Sequence, residues 1–315
     1  MELDYPDLEI IILPDAVLDS SIVGDTLRSR VSPAIVVIPT GPVNPAAKRD
    51  IGLKYAKGEI IAFIDDDAYP VKDWLKFAIE SFSDPQVAAV GGPAITPLDD
   101  SLGQQASGKI YSSLMVSGNF VYRYIPKAKR EVDDLPSCNF IVRKNMMDEL
   151  GGFNTSFWPG EDTKLCLDIA HKLNKKIIYD PNVLVYHHRR TVFKAHLKQI
   201  ANYALHRGYF VKKFPETSFK LSYFIPSIFV VGLILGPFLP VRLVYFYCII
   251  LYLFLVILSS LLVVVPTQRI ATKLRDCPRR GLSLSFMIFS GIILTHITYG
   301  IFFIKGLLAR KLKEE

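Results

Sequence analysis

The stretch IIAFIDDDAYP, residues 60–70, sets three consecutive aspartates behind an apolar run. The apolar run predicts a buried strand, and side chains alternate along a strand, so Asp65 and Asp67 are expected on the same side. Neighbouring carboxylates repel each other and are costly to bury unless a cation or hydrogen bonds compensate. Carboxylate oxygens suit Mg²⁺ or Mn²⁺, so the triplet predicts a metal site. A solvated turn is the alternative, because Asp is common in turns.

Short apolar runs separated by helical stretches surround this segment. The runs are LEIIIL (8–13), AIVVI (34–38), QVAAVGG (86–92) and two more within 176–188, and a helix is expected from Pro45 to Ala56. This alternation predicts parallel βαβ units, hence an α/β fold with a Rossmann-like, mostly parallel sheet and helices on both faces. Ligands bind at the carboxyl ends of such strands, where Asp15, the 39–42 loop and the triplet fall.

A second acidic motif, WPGED at residues 158–162, precedes a stretch with helical spacing. Acidic residues at a helix start are favoured by the helix dipole, so Glu161 and Asp162 are explained by simple capping. They are equally explained by function, with Asp162 as a general base for an incoming hydroxyl and Glu161 near the donor.

A basic motif, VYHHRRT at residues 185–191, follows the last predicted strand. His188 and Arg189 are candidates for neutralising a departing diphosphate, since Arg suits bidentate phosphate contact. A basic collar facing a membrane is the alternative. Lys48 and Arg49 either face a nucleotide or lie on a solvated helix face.

Three apolar segments fill the C-terminal third, at residues 222–240, 243–265 and 282–304. Each has about the 20 residues needed to cross a hydrocarbon core, which favours membrane spans over buried helices of a soluble core. The net charge of +7 lies largely beside these segments, so anionic lipid is a more suitable partner than nucleic acid. The positive-inside rule places the first 220 residues and the 267–283 loop in the cytoplasm. The basic tail conflicts with three full crossings.

The segment 191–213 has apolar residues at helical intervals with lysines and arginines beside them. It predicts an amphipathic helix at the membrane surface, or else an ordinary helix packed on the sheet. No signal peptide is visible, and the four cysteines lack paired spacing, which is typical of a reducing compartment.

Taken in order, these landmarks resemble family 2 glycosyltransferases of the inverting GT-A class, especially membrane-attached members that build exopolysaccharides. The resemblance is carried by YPDLEIIILPD (5–15), AAKRDIGLKYAKGEIIAFIDDD (46–67), SCNFIVRKNMMDELGGFNTSFWPGEDTKLCLDI (137–169) and VYHHRRT (185–191). It covers nearly all of residues 5–210.

The resemblance implies a nucleotide-diphosphate sugar bound with Mg²⁺ or Mn²⁺ at the Asp-x-Asp element of residues 65–67. It implies that Asp162 is the catalytic base, that Asp15 contacts the nucleobase, and that His188 and Arg189 contact the diphosphate. Family members normally open with a strand of the type VSVIIPTYN, which is expected to be missing from this chain. The Gln-x-x-Arg-Trp motif of processive synthases is absent, which favours transfer of a single sugar.

The expected organisation is a GT-A domain over residues 1–190, an amphipathic linker over 191–220, about three transmembrane helices over 221–305 and a basic tail over 306–315. The expected function is metal-dependent transfer of one sugar, with inversion, to a lipid-linked saccharide or polyprenyl phosphate at the cytoplasmic face of the plasma membrane. The alternative is an inactive, membrane-anchored binding or scaffold protein of the same fold.

Overall fold

The computed structural model describes residues 5–17, 34–270 and 278–314. These residues form two compact units, each assembled from separate segments of the chain. The first unit comprises Met1–Pro93, Ala128–Val185 and Lys313–Glu315, and the second comprises Ala94–Lys127 and Tyr186–Leu312. The expected domain boundaries at 190, 220 and 305 stay a prediction. Residues 271–277 of the expected 267–283 loop lie outside the described residues.

The described strands and helices are numbered along the chain. The strands are β1 (Glu9–Ile12), β2 (Ala34–Val37), β3 (Ile60–Ile64), β4 (Ala68–Pro70), β5 (Val87–Gly91), β6 (Ala94–Ile95), β7 (Arg130–Val132), β8 (Asn139–Arg143), β9 (Lys176–Tyr179) and β10 (Val185–His187). The α-helices are α1 (Pro45–Tyr55), α2 (Trp74–Ser81), α3 (Leu102–Tyr111), α4 (Leu114–Ser117), α5 (Lys144–Leu150), α6 (Glu161–Leu167), α7 (Lys194–Lys213), α8 (Pro215–Ser218), α9 (Leu221–Leu235), α10 (Arg242–Ile270) and α11 (Pro278–Leu308). Helical turns of other types cover Gly118–Arg123, Asp168–Lys172 and Gly236–Phe238.

The first unit is built on two sheets. β1 and β2 pair in parallel, and a five-stranded sheet has the order β3-β8-β5-β9-β7. Within that sheet β5 and β9 are parallel, whereas β8 runs antiparallel to both β3 and β5 and β7 runs antiparallel to β9. All residues of β5 are buried, as expected for a central strand. The predicted α/β class is confirmed, but the five-stranded sheet is mixed rather than mostly parallel, because β8 enters between β3 and β5 in the opposite direction and β7 runs antiparallel to β9.

Helix α1 positions part of the candidate site. Its N-cap is Asn44, whose side-chain oxygen accepts a hydrogen bond from the Ala47 N–H at 2.8 Å, and Pro45 occupies the first turn. Both residues favour a helix start, because Asn satisfies an unpaired N–H and Pro has none to lose. The helix therefore begins where the sequence predicted and carries Lys48, Arg49 and Asp50 in succession.

Among the described residues, the second unit has three helices that are long and apolar enough to cross a membrane. The candidate spans are Leu221–Phe238, Arg242–Val264 and Gly281–Leu308, with mean hydropathies of 1.9, 2.8 and 1.9. Long apolar side chains along them are exposed, Leu243 and Tyr247 among them, as expected for surfaces that face lipid. The predicted C-terminal transmembrane region is confirmed in this sense.

Helix α7, the predicted amphipathic segment, packs against α11. Glycines allow this close approach: a side chain at Gly208 would meet the backbone of Phe303, and one at Gly306 would meet the backbone of Leu205. Small residues at such contacts are common where helices pack in membranes. A location of α7 at the membrane surface stays a prediction.

Candidate active site

The aspartate triplet lies in a tight turn between β3 and β4. The Ala68 N–H donates a hydrogen bond to the Asp65 carbonyl at 3.1 Å, which closes the turn. Strand alternation therefore does not apply here, since β3 ends at Ile64. The turn nevertheless brings one carboxylate oxygen of Asp65 and one of Asp67 within 4.8 Å of each other, with Asp67 exposed and Asp65 half-buried. Two hard oxygen donors at this separation fit a divalent cation such as Mg²⁺ or Mn²⁺.

Arg49 connects the two acidic motifs of the first unit. Its guanidinium donates to Asp65 Oδ1 at 2.8 Å and to Glu161 Oε1 at 2.9 Å. Its Cζ lies 5.4 Å from the centre of the Phe153 ring, within the range of a cation–π contact. Burial alone would lower the pKa of Arg49, but the Asp65 and Glu161 carboxylates outweigh it and raise that pKa above its usual range. Arg49 is therefore fully charged and holds the end of β3 beside the start of α6.

The acidic pair at the start of α6 divides by burial. The Glu161 side chain is 6% exposed, bonded by Arg49, and accepts a hydrogen bond from the Gly160 N–H at 3.1 Å. Asp162 is half-buried, and its Oδ1 accepts a hydrogen bond from the Thr163 N–H at 2.7 Å. Contacts with N–H groups at a helix start satisfy the capping explanation. They also hold Asp162 in place where a bound molecule can reach it, so its role as a base stays a prediction.

Asp15 and Lys48 form a separate pair at the carboxyl end of β1. Lys48 Nζ lies 2.5 Å from Asp15 Oδ1 and donates a hydrogen bond to the Leu13 carbonyl at 3.3 Å. The Asp15 side chain is 64% exposed. Nearby, Thr40 donates its backbone N–H to the Pro14 carbonyl at 2.9 Å, which ties the ends of β1 and β2 together. Both predicted donor-binding residues thus lie at the sheet edge where ligands bind.

The basic motif lies in the second unit. His188 Nδ1 is 2.5 Å from Oδ1 of Asp100, whose side chain is 5% exposed. Arg189 bonds His187 Nδ1 at 3.0 Å and the Ala94 carbonyl at 2.5 Å. Both predicted residues, His188 and Arg189, are therefore held by neighbours and half-buried rather than extended into solvent.

Two aromatic rings support Arg189. Its Cζ lies 5.7 Å from the Tyr111 ring and 5.2 Å from the Tyr124 ring, and the two rings stack 5.0 Å apart. Arg suits such stacking because its guanidinium is planar and weakly hydrated. Burial, the largest effect, raises the pKa of Tyr111 well above its usual range, so its hydroxyl stays protonated. It donates to Gln199 Oε1 at 3.3 Å.

Several supporting residues were not predicted from the sequence. Asp50 accepts a hydrogen bond from the Phe153 N–H at 2.7 Å, which fixes the ring beneath Arg49. Gly152 has a φ of +86°, and a side chain there would meet Asp50. The paired glycines before Phe153 signal this turn, since only glycine adopts such a φ without strain. Asp100 carried no comparable signal, because one aspartate of an Asp-Asp-Ser turn looks like a helix cap.

Comparison with known proteins bears on the whole arrangement. Residues 1–151 match the family model described as "Glycosyl transferase family 2". A pre-mycofactocin glycosyltransferase of Mycobacterium tuberculosis is 30% identical over 159 residues, which are 50% of this chain and 33% of that protein. A dolichyl N-acetyl-α-D-glucosaminyl phosphate 3-β-D-2,3-diacetamido-2,3-dideoxy-β-D-glucuronosyltransferase of Methanococcus voltae is 25% identical over 200 residues, 58% of this chain and 59% of that protein. The chain thus matches less than two thirds of either relative.

One solved structure is similar over almost the entire chain. It is a mannosyltransferase from Pyrobaculum calidifontis in complex with GDP-Man and Mn²⁺, with a TM-score of 0.50 and 18% identity, covering 98% of this chain and 81% of that one. At this identity the likeness concerns the fold alone. It agrees with the expected GT-A architecture followed by apolar helices, which is confirmed.

Proposed function

We propose that this chain, whose residues 1–151 match the model of glycosyl transferase family 2, is a membrane-bound glycosyltransferase. It would transfer one sugar, with inversion, from a nucleotide-diphosphate sugar to a lipid-linked saccharide or polyprenyl phosphate. The observation that carries the proposal is Arg49, which joins Asp65 of the acidic turn to Glu161 beside Asp162. It sets a candidate cation site and a candidate base in one rigid arrangement, as a displacement with separate metal and base requires.

The acceptor hydroxyl attacks the anomeric carbon of the donor sugar from the face opposite the diphosphate. Asp162 receives the hydroxyl proton as the new glycosidic bond forms, and the bond between the anomeric carbon and the phosphate oxygen breaks. A Mg²⁺ or Mn²⁺ ion held by Asp65 and Asp67 would neutralise the negative charge that develops on the leaving diphosphate. With a phosphate acceptor no base is needed, and Asp162 would then only orient the acceptor.

The remaining predicted residues are proposed to bind the donor. Asp15 lies at a strand end suited to a nucleobase, with Lys48 holding it. Arg49 and Glu161 are buried and paired, so their contribution is to fix the acidic turn rather than to reach far into the site. In the second unit, His188 and Arg189 offer an oriented imidazole and guanidinium for the diphosphate.

The acceptor and the location follow from the apolar helices. Three candidate spans adjoin basic residues, which favours a multi-pass protein of the plasma membrane with the transferase domain in the cytoplasm. The Methanococcus relative is named for a dolichyl phosphate-linked sugar as its acceptor. A lipid-borne acceptor is consistent with both observations.

The test is a transfer assay with the full chain purified in detergent, a panel of nucleotide-diphosphate sugars, and polyprenyl phosphates with and without an attached sugar. Chelation with EDTA is expected to abolish transfer, and added Mn²⁺ or Mg²⁺ to restore it. Asp162→Asn is expected to lower the rate to a saccharide acceptor by about 10²–10⁴-fold while donor affinity stays within about twofold. Asp148→Asn, which removes an exposed carboxylate from α5, is the matched control.

Two results would contradict the proposal. Loss of donor binding in Asp162→Asn, measured by calorimetry, would make Asp162 a structural residue. Absence of metal-dependent binding of any nucleotide-diphosphate sugar by the folded wild type would support an inactive, membrane-anchored binding protein instead.

A further inference from the structure

Two stacked aromatic rings lie within the second unit, at the start of its first apolar helix. Phe120 and Tyr223 have ring centroids 5.7 Å apart and planes within 5° of parallel. Phe120 belongs to the helical turn Gly118–Arg123, and Tyr223 lies in the first turn of α9. Residues distant in the sequence thus build one flat aromatic surface.

Three cationic side chains gather on these rings. Arg123 Cζ lies 4.7 Å and Lys220 Nζ 5.8 Å from the centre of the Phe120 ring, and Arg207 Cζ lies 5.0 Å from that of Tyr223. We call these five residues the basic aromatic cluster. Its three cations are half-buried, so water screens their mutual repulsion less than on an open surface. Cation–π contacts hold the three groups on the two rings, and their positive charges attract an anion.

The cluster adjoins the start of a candidate span, where a lipid phosphate is expected. Lys220 immediately precedes the candidate span Leu221–Phe238, and Tyr223 is one of its first residues. Tyr, Lys and Arg at the end of a span occupy the headgroup layer of a bilayer. Arg207 also donates a hydrogen bond to the buried hydroxyl of Ser218 at 3.5 Å, so its guanidinium is oriented by protein as well as by the ring.

The chain connects this cluster directly to Arg189. Tyr124, whose ring lies 5.2 Å from Arg189 Cζ, is the residue after Arg123. Consecutive Cα atoms are about 3.8 Å apart, so Arg123 and Tyr124 present neighbouring surfaces of one segment. The cluster therefore shares a segment with Tyr124, one of the two rings that support the guanidinium proposed for the donor diphosphate. A lipid that takes part in the reaction suits that position better than a lipid of the surrounding bilayer does.

We infer that the basic aromatic cluster, through Arg123, Arg207 and Lys220, binds the phosphate group of the lipid-linked acceptor. The inference rests on the proposed function, since a lipid-linked acceptor is part of it. Two guanidiniums supply planar, paired donors for phosphate oxygens, and the ammonium adds a compact charge. Phe120 and Tyr223 hold these groups through cation–π contacts.

The test measures equilibrium binding of farnesyl phosphate to the full chain in phosphatidylcholine nanodiscs, with farnesol as the uncharged comparison. The wild type is expected to bind farnesyl phosphate at least about tenfold more tightly than farnesol. Gln in place of Arg123, Arg207 or Lys220 is expected to weaken binding about fivefold each, and all three together about a hundredfold. Arg123→Lys keeps the positive charge but should recover only part of the affinity, because a lysine cannot offer two planar N–H donors to the phosphate.

The matched control removes three exposed lysines of the first unit, Lys54, Lys57 and Lys76, and is expected to bind as the wild type does. If the triple cluster variant does not run as a single species in size exclusion, the single variant Lys220→Gln decides the question, since Lys220 makes no side-chain capping bond to α9. Nanodiscs containing phosphatidylglycerol provide the second arm. Farnesyl phosphate should still bind there with its affinity lowered less than about threefold.

Three outcomes would overturn the inference: equal binding of farnesyl phosphate by the wild type and the cluster variants, equal binding of farnesol, or displacement of farnesyl phosphate by phosphatidylglycerol. The last outcome would make the cluster a bilayer anchor.

Transfer activity separates this inference from the proposed function. A wild type that transfers sugar while its cluster variants bind normally refutes the site alone. A wild type that binds farnesyl phosphate through the cluster but transfers nothing refutes the function alone.

Discussion

Replacing Arg49 with methionine is the sharpest test of how the site is held. Methionine keeps an apolar stem of similar length and removes only the guanidinium, which bonds Asp65 at 2.8 Å and Glu161 at 2.9 Å. Loss of the guanidinium costs different amounts of stability at the two carboxylates. Asp65 is 35% exposed and can be rehydrated, whereas Glu161 is 6% exposed and would be left as an uncompensated buried charge.

The expected loss of stability is dominated by Glu161. Removing one partner of a buried ion pair typically costs about 3–5 kcal/mol. With about 2–4 °C of melting temperature per kcal/mol in a domain of this size, Arg49→Met should melt roughly 10 °C below the wild type. Lys48→Met is the matched control on the same helix. Its partner Asp15 is 64% exposed, so the pair contributes less than about 1 kcal/mol and the melting temperature should fall by less than about 4 °C.

Intrinsic fluorescence of the full chain in detergent reports this change selectively. The chain has two tryptophans, Trp74 and Trp158, and both lie in the first unit. Adding Glu161→Gln to Arg49→Met should recover at least half of the loss, because the amide carries no charge to leave unpaired. If Arg49→Met melts within about 2 °C of the wild type, or if the second substitution recovers nothing, Arg49 does not stabilise the site by compensating Glu161.

Two further predictions concern the supporting structure. Gly151→Ala should destabilise the first unit by about 1 kcal/mol, and Gly152→Ala should destabilise it by more. Both glycines have a positive φ, but only at Gly152 would the new side chain meet Asp50. Equal melting temperatures of the two variants would contradict this prediction. Burial, and then Arg189, lowers the pKa of His196 from 6.5 to about 4. On acidification the unfolded chain therefore binds a proton at His196 before the folded chain does. Lowering the pH from 8 to 5 should thus reduce the free energy of unfolding by about 2 kcal/mol. His196→Gln should flatten the pH dependence of the melting temperature, and an unchanged dependence would refute this prediction.

Much of the fold was predictable from local pattern. The runs that became β1, β2, β3, β5, β9 and β10 are rich in Val and Ile, and α1 begins at an Asn-Pro start signal. Strand β8 was missed, because NFIVR passes into α5 with no turn residue between them. Its antiparallel direction follows from long-range pairing with β3 and β5, which a single sequence does not reveal.

The candidate site was predictable by residue type but not by connection. Acidic residues after a strand and at a helix start are local signals, and so is a basic run after β10. The bond between Arg49 and Glu161 spans 112 positions, and that between Asp100 and His188 spans 88. Alternation along β3 also gave the wrong reason for the closeness of Asp65 and Asp67, because the strand ends before them and a turn brings them together.

The apolar helices are part of the second unit rather than an appendage to it. Ala106 and Ile110 of α3 share one buried core with Val256 of α10 and with Ile288 and Ile292 of α11. Helix α3 also carries Tyr111, one of the two rings that support Arg189. Because a packed core transmits displacement instead of absorbing it, the position of Arg189 depends on the candidate membrane-spanning helices. The apolar helices therefore complete the surroundings of a residue that is proposed to bind the donor.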